Sequence, residues 1–103
     1  MARPYSQSFL AELHRNASNN LGVQLARLCV NANLPATYVA VALETTRTTV
    51  YSWFRGQGVR EGKHLLINTF IELVEKDMAE GILPAKSTAD AKKYIEEMIG
   101  VKI

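Results

Sequence analysis

Two short apolar patterns at helical spacing sit only three residues apart. Val39, Ala40 and Leu43 form one, Val50, Trp53 and Phe54 the other, and Glu44-Thr45-Thr46 separates them. A connection this tight leaves no room for two long helices to run alongside each other. It forces a steep crossing, with Ala40 small enough to let the second helix approach while Val50 and Trp53 supply bulk from the other side. That is the arrangement of a helix-turn-helix.

The rest of the chain is punctuated in the same way. Six segments carry apolar residues at the i, i+3, i+4 spacing of one helical face, and sustained period-2 alternation is absent. The first helix is expected over about Ser6–Arg15, capped by Ser6. A polar break follows at residues 16–20. The second covers about Leu21–Ala32, with Asn33 as a left-handed terminator. The third covers Pro35–Leu43, since proline is tolerated in a first helical turn. The fourth covers Arg47–Phe54, capped by Thr45 or Thr46. A glycine-punctuated loop is expected from Gly56 to Gly62. A long fifth helix then runs over about Lys63–Glu80, with Leu66, Phe70, Leu73 and Val74 on its stripe. The stiff Ile82-Leu83-Pro84 connector leads to a sixth over about Thr88–Ile99. The expected fold is all-α, with five to six helices. A helix-turn-helix core at about 34–56 carries a C-terminal helical extension over 63–100, which serves either the core or subunit pairing through Tyr94, Ile95, Met98 and Ile99. One domain over 1–103 suits the length, and 48% apolar residues suffice for a core.

Charge separates the two halves. Residues 1–63 hold seven Arg/Lys and three Asp/Glu, whereas residues 64–103 hold five and seven. The basic half contains the helix-turn-helix, which favours a polyanion such as DNA as its partner. Cys29 is the only cysteine, so no intrachain disulfide forms, and a reducing, cytoplasmic setting is expected. No apolar run approaches a membrane span, and the N-terminus lacks the order of a signal peptide, so no membrane partner is expected. His14 and His64 lack ligand spacing with Cys29, and Gly58–Lys63 has the wrong glycine spacing for a phosphate loop. No nucleophile–base pattern stands out. The expectation is a non-enzyme without metal or cofactor.

Leu25 and Leu28, then Asn33-Leu34, Val39-Ala40, Leu43, Thr45, Val50, Trp53 and Gly56, resemble in register the Cro/lambda-repressor (XRE-like) helix-turn-helix family. The resemblance covers about a third of the chain. The chain departs from the family pattern in three places. Glu44 stands where a glycine is usual, Pro35-Ala36 replaces a Ser/Thr-Gln pair, and Phe54 replaces an acidic residue. A side chain at Glu44 must either accept a strained backbone or shift the turn.

The resemblance implies that the fourth segment is a recognition helix lying in the major groove of double-stranded DNA. It implies contacts from Thr46, Arg47, Thr48, Thr49, Tyr51, Ser52 and Arg55, with Arg60 and Lys63 on phosphates beyond them and Thr37 at a phosphate near the third helix. Arg47 suits guanine O6 and N7, and the threonines suit phosphate or a thymine methyl. The function implied is a sequence-specific, phage-type transcriptional repressor acting as a homodimer. Two other uses of the same unit are a viral small-terminase-like DNA-packaging subunit and a protein-interaction module of antitoxin or polymerase-binding type.

Overall fold

Four of the six helix starts in this chain are written by side chains that take up the free N–H groups of a first turn. In the computed structural model, which describes residues 4–103, six α-helices follow in order: α1 Gln7–Arg15, α2 Leu21–Asn31, α3 Ala36–Ala42, α4 Arg47–Phe54, α5 Glu61–Ala79 and α6 Thr88–Ile99. The first three residues of the expected domain lie outside the described residues. Ser6, Asn20, Thr46 and Ser87 cap α1, α2, α4 and α6 through their side-chain oxygens. Asn33 adopts the expected left-handed conformation (φ 59°) after α2. The described residues hold no strand, and no described helix is long and apolar enough to cross a membrane.

α2 is the central element. Its Val23, Leu25, Ala26 and Cys29 are buried, with α4, α5 and α1 against it, while α3 packs on α4 and α6. Leu34, Val39, Leu43, Val50, Trp53 and Phe54 complete the core beneath α3 and α4. Each such side chain contributes roughly 1.5–3 kcal/mol by leaving water. Burial pushes the Cys29 thiol well above its ordinary range, so it is an inert core residue.

The C-terminal helices are tied to the core, not set apart from it. Ala85 N–H donates to the Ala32 carbonyl at 2.9 Å, and Asn33 Nδ2 donates to the Ala85 carbonyl at 2.7 Å. Ile95 is fully buried, and the Tyr94 hydroxyl donates to Asp77. Of the residues considered for subunit pairing, only Tyr94, Met98 and Ile99 keep partial exposure.

Two expected details differ. α5 begins at Glu61 rather than Lys63, so Gly62 is helical; a glutamate in the first turn is favoured by the helix dipole. The α5 stripe is also turned. Ile67, Phe70 and Val74 are buried, whereas Leu73 is exposed, because α5 leans on the core mainly along α2 and buries a narrow strip.

Candidate nucleic-acid interface

An eight-residue helix has too few backbone hydrogen bonds to define its own position, since isolated helices below ~12–15 residues are marginal in water. α4 is positioned by its neighbours. At its N-terminus, Thr46 Oγ1 accepts from Thr49 N–H at 3.1 Å and donates to Thr49 Oγ1 at 3.0 Å. At its C-terminus, Asn16 Nδ2 donates to the Arg55 carbonyl at 3.3 Å and Asn20 Nδ2 to the Gly56 carbonyl at 2.7 Å. Gly56 itself has φ 104°, a backbone that a side chain would strain. The polar break before α2 is therefore the brace of α4. Arg27 holds that break in shape, donating to the Asn16 carbonyl at 2.8 Å.

The closest approach lies beneath. A Cβ at Gly22 would stand 2.2 Å from the Trp53 carbonyl oxygen, so α2 and α4 cross with backbone against backbone. Ala40 is buried at the α3–α4 crossing as its size suggested, but it is Gly22 that sets how deeply α4 sits.

Of the two outcomes open at the turn, it takes the strained backbone. Glu44 takes φ 56° without a glycine. Lys63 Nζ reaches across and donates to the Leu43 and Glu44 carbonyls at 2.8 and 3.0 Å. This is a charge-assisted cap on the end of α3. It commits two of the three ammonium protons of Lys63, a residue expected to hold a phosphate.

α1 closes the outer side through an aromatic cluster. Tyr5 and Phe9 stack with centroids 5.4 Å apart, and Phe9 meets Tyr51 edge-on at 5.5 Å. Phe54 joins both, which is why an apolar ring occupies a position that is acidic in the resembled family. The Tyr5 hydroxyl donates to the Leu34 carbonyl, fastening the start of α1 to the α2–α3 connection.

What remains outward is a polar crest with a concavity on either side. Arg47 and Thr48 are exposed, and Thr49, Tyr51 and Ser52 are half-buried. On the α1 side, Pro4, Ser6, Phe9, Arg47, Thr48, Tyr51, Ser52 and Arg55 line a hollow of about 520 Å³. On the α5 side, Thr45, Thr49, Ser52, Trp53, Gln57, Gly58, Arg60 and Lys63 line one of about 420 Å³. Ser52 borders both, and its Oγ donates to the Thr48 carbonyl at 3.2 Å, leaving lone pairs free. The structure thus gathers every expected contact residue around α4 except Thr37, which is exposed on α3 and lines neither hollow. Pro4, Ser6, Thr45, Gln57 and Gly58 border the same surface and were not anticipated. Gln57, a polar residue just past the helix stop, carried a local signal; Pro4 and Ser6 arrive through tertiary packing alone.

From Thr45 to Arg60 the chain has three arginines and no Asp or Glu. Arg47, Arg55 and Arg60 are all exposed. Such a surface can offer hydrogen-bond donors and positive charge to a polyanion without a desolvated carboxylate opposing it. Compared with known proteins, the chain matches no family model, no curated protein and no solved structure.

Proposed function

We propose that this chain binds double-stranded DNA through α4, in a sequence-specific manner, and regulates transcription. One observation carries the reading. A short helix, held at both ends and along its inner face, turns a carboxylate-free face of arginines and hydroxyl side chains to solvent. A helix about 10–12 Å wide fits the major groove of B-DNA, roughly 12 Å across.

Within this reading Arg47 and Thr48, at the N-terminal end of α4, meet base edges. Arg47 offers a fork of donors to guanine, and the Thr48 methyl and hydroxyl suit thymine or a base acceptor. Arg55 and Arg60, one at each end of the α4–α5 loop, neutralise phosphates on either side. Lys63 acts by supporting the turn. Two copies on an inverted repeat would place two such helices about one helical turn apart.

The test is selection of bound sequences from random duplex DNA at about physiological salt, where non-specific affinity is already weak. An enriched motif is expected, and an inverted repeat within it would give the dimer spacing. Arg47→Ala should weaken binding to that motif by about 1–3 kcal/mol and relax preference at one base. No enriched motif, or an unchanged affinity for Arg47→Ala, counts against the reading.

A further inference from the structure

The two arginines on the α1 side of α4 share one aromatic ring. Arg47 lies a turn before Tyr51 and Arg55 a turn after it. Their guanidinium carbons stand 6.0 and 5.7 Å from the Tyr51 ring centroid. The ring is not free to follow them. Phe9 and Phe54 meet it edge-on at 5.5 and 5.9 Å, and Tyr5 closes in at 6.3 Å. Tyr5 is in turn stacked on Phe9 and bonded to the Leu34 carbonyl. Tyr51 is thus the outer member of a four-ring wedge clamped between α1 and α4.

We infer that Tyr51 is a positioning residue: its ring holds the guanidinium groups of Arg47 and Arg55 at a fixed separation for a duplex nucleic acid. Cations within about 6 Å of a ring face are drawn to its quadrupole. A free arginine side chain carries much rotamer entropy, which is lost when it docks. A ring that already restrains two guanidinium groups removes part of that loss in advance. The six contacts among the four rings give the wedge its stiffness, so α1 contributes to recognition through Tyr51. What the two arginines touch rests on the DNA reading above; that Tyr51 restrains them does not.

The experiment has two arms, run on the wild-type chain, Tyr51→Leu and the conservative Tyr51→Phe. In the free protein, the NMR signals of the Arg47 and Arg55 Nε–Hε groups report the ring directly, because an aromatic current displaces them. They are expected away from random-coil positions in the wild type, at random-coil positions in Tyr51→Leu, and restored in Tyr51→Phe. On the DNA motif selected as above, Tyr51→Leu is expected to lose about tenfold in affinity, with Tyr51→Phe recovering to within about twofold. The salt dependence of binding should stay unchanged, since no phosphate contact is deleted. Wild-type arginine signals at random-coil positions overturn the inference, and they do so even if Tyr51→Leu fails to fold. An affinity loss in Tyr51→Phe equal to that in Tyr51→Leu also overturns it, because the hydroxyl would then be the acting group. A wild-type chain that binds no duplex DNA defeats the DNA reading, while the arginine signals still decide the role of Tyr51.

Discussion

α4 and α5 are held in opposite ways. α4 has eight residues and is secured by side chains from distant parts of the chain: Asn16 and Asn20 at its C-terminal carbonyls, Gly22 against Trp53, and the α1 rings on its flank. α5 has nineteen residues, starts without a side-chain cap, and buries only Ile67, Phe70 and Val74. Its Leu65 and Leu73 are 81% and 43% exposed. A long helix can rely on its own backbone ladder, whereas a short one borrows its order. The difference matters because the candidate recognition surface lies on the borrowed-order helix. Nearly all of α4's inner face and both its ends serve placement, which leaves its outer face free for chemistry.

From that contrast, the largest effect of any single change should come from the α2–α4 crossing. Gly22→Ala sets a methyl group 2.2 Å from backbone, where no side-chain rotation relieves it. It should cost about 3 kcal/mol in denaturant unfolding, and fractional loss below about 0.5 kcal/mol would break the comparison. Asn20 comes next, because one side chain serves two helices. It accepts from Val23 N–H at 3.0 Å and donates to the Gly56 carbonyl at 2.7 Å. Asn20→Ala should cost about 2 kcal/mol. Asn20→Asp sharpens the point, since it keeps the α2 cap but turns a carboxylate toward the Gly56 carbonyl. Equal stability of Asn20→Asp and wild type would show that the link to α4 carries no weight.

The α1 brace yields a pH dependence. Burial first, with neighbouring Cys29 and Tyr51, pushes the Tyr5 hydroxyl far above its ordinary range. In the unfolded chain it ionises near pH ~10. Above that point the folded state keeps a proton that the unfolded state has lost. The contribution of Tyr5 is therefore fully present below about pH 10 and is lost as pH rises, by up to about 1.4 kcal/mol per pH unit. Stability measured from pH 9 to 11 should fall more steeply in the wild type than in Tyr5→Phe, and identical slopes would remove Tyr5 from the brace.

Much of this fold is legible in the sequence because local chemistry writes it. The bounds of α4, a threonine cap at Thr45 or Thr46 and the left-handed Asn33 follow from residue types and spacing alone. The positive φ at Glu44 is one of the two outcomes that the glycine usual in the resembled family implied, the other being a shifted turn. The supports of α4 are not legible in that way. Gly22 reads as a weak helix former until Trp53 is seen against it, and Asn16 and Asn20 read as a polar break until their carbonyl partners are known. Lys63 looks like a free cation because nothing nearby in sequence reveals the carbonyls it caps. The crest itself, from Thr46 to Arg55, was visible as a polar face; the hollows beside it depend on α1 and the α4–α5 loop folding back. The α5 stripe was misaligned for a related reason. A helix leaning on one neighbour buries less than its apolar content permits, so Leu73 looked internal by pattern and is not.

That misalignment gives the smallest and most discriminating effect. Leu73 and Val74 are adjacent apolar residues on α5, one 43% exposed and the other fully buried. Leu73→Ser removes a side chain that already meets water, and surface changes of this kind stay within about 0.5 kcal/mol. Val74→Ser removes core contacts and strands a hydroxyl among apolar neighbours, at roughly 2–3 kcal/mol. Denaturation of the two variants side by side therefore measures the rotation of α5 about its own axis. A Leu73→Ser loss comparable to that of Val74→Ser would mean that Leu73 is covered in solution, by another part of the chain or by a second copy. The two outcomes separate by concentration, because only a second copy makes the midpoint of unfolding rise with protein concentration. A small, concentration-independent effect leaves α5 as a strut held by its own backbone, and leaves α4 as the element whose position the rest of the chain is built to fix.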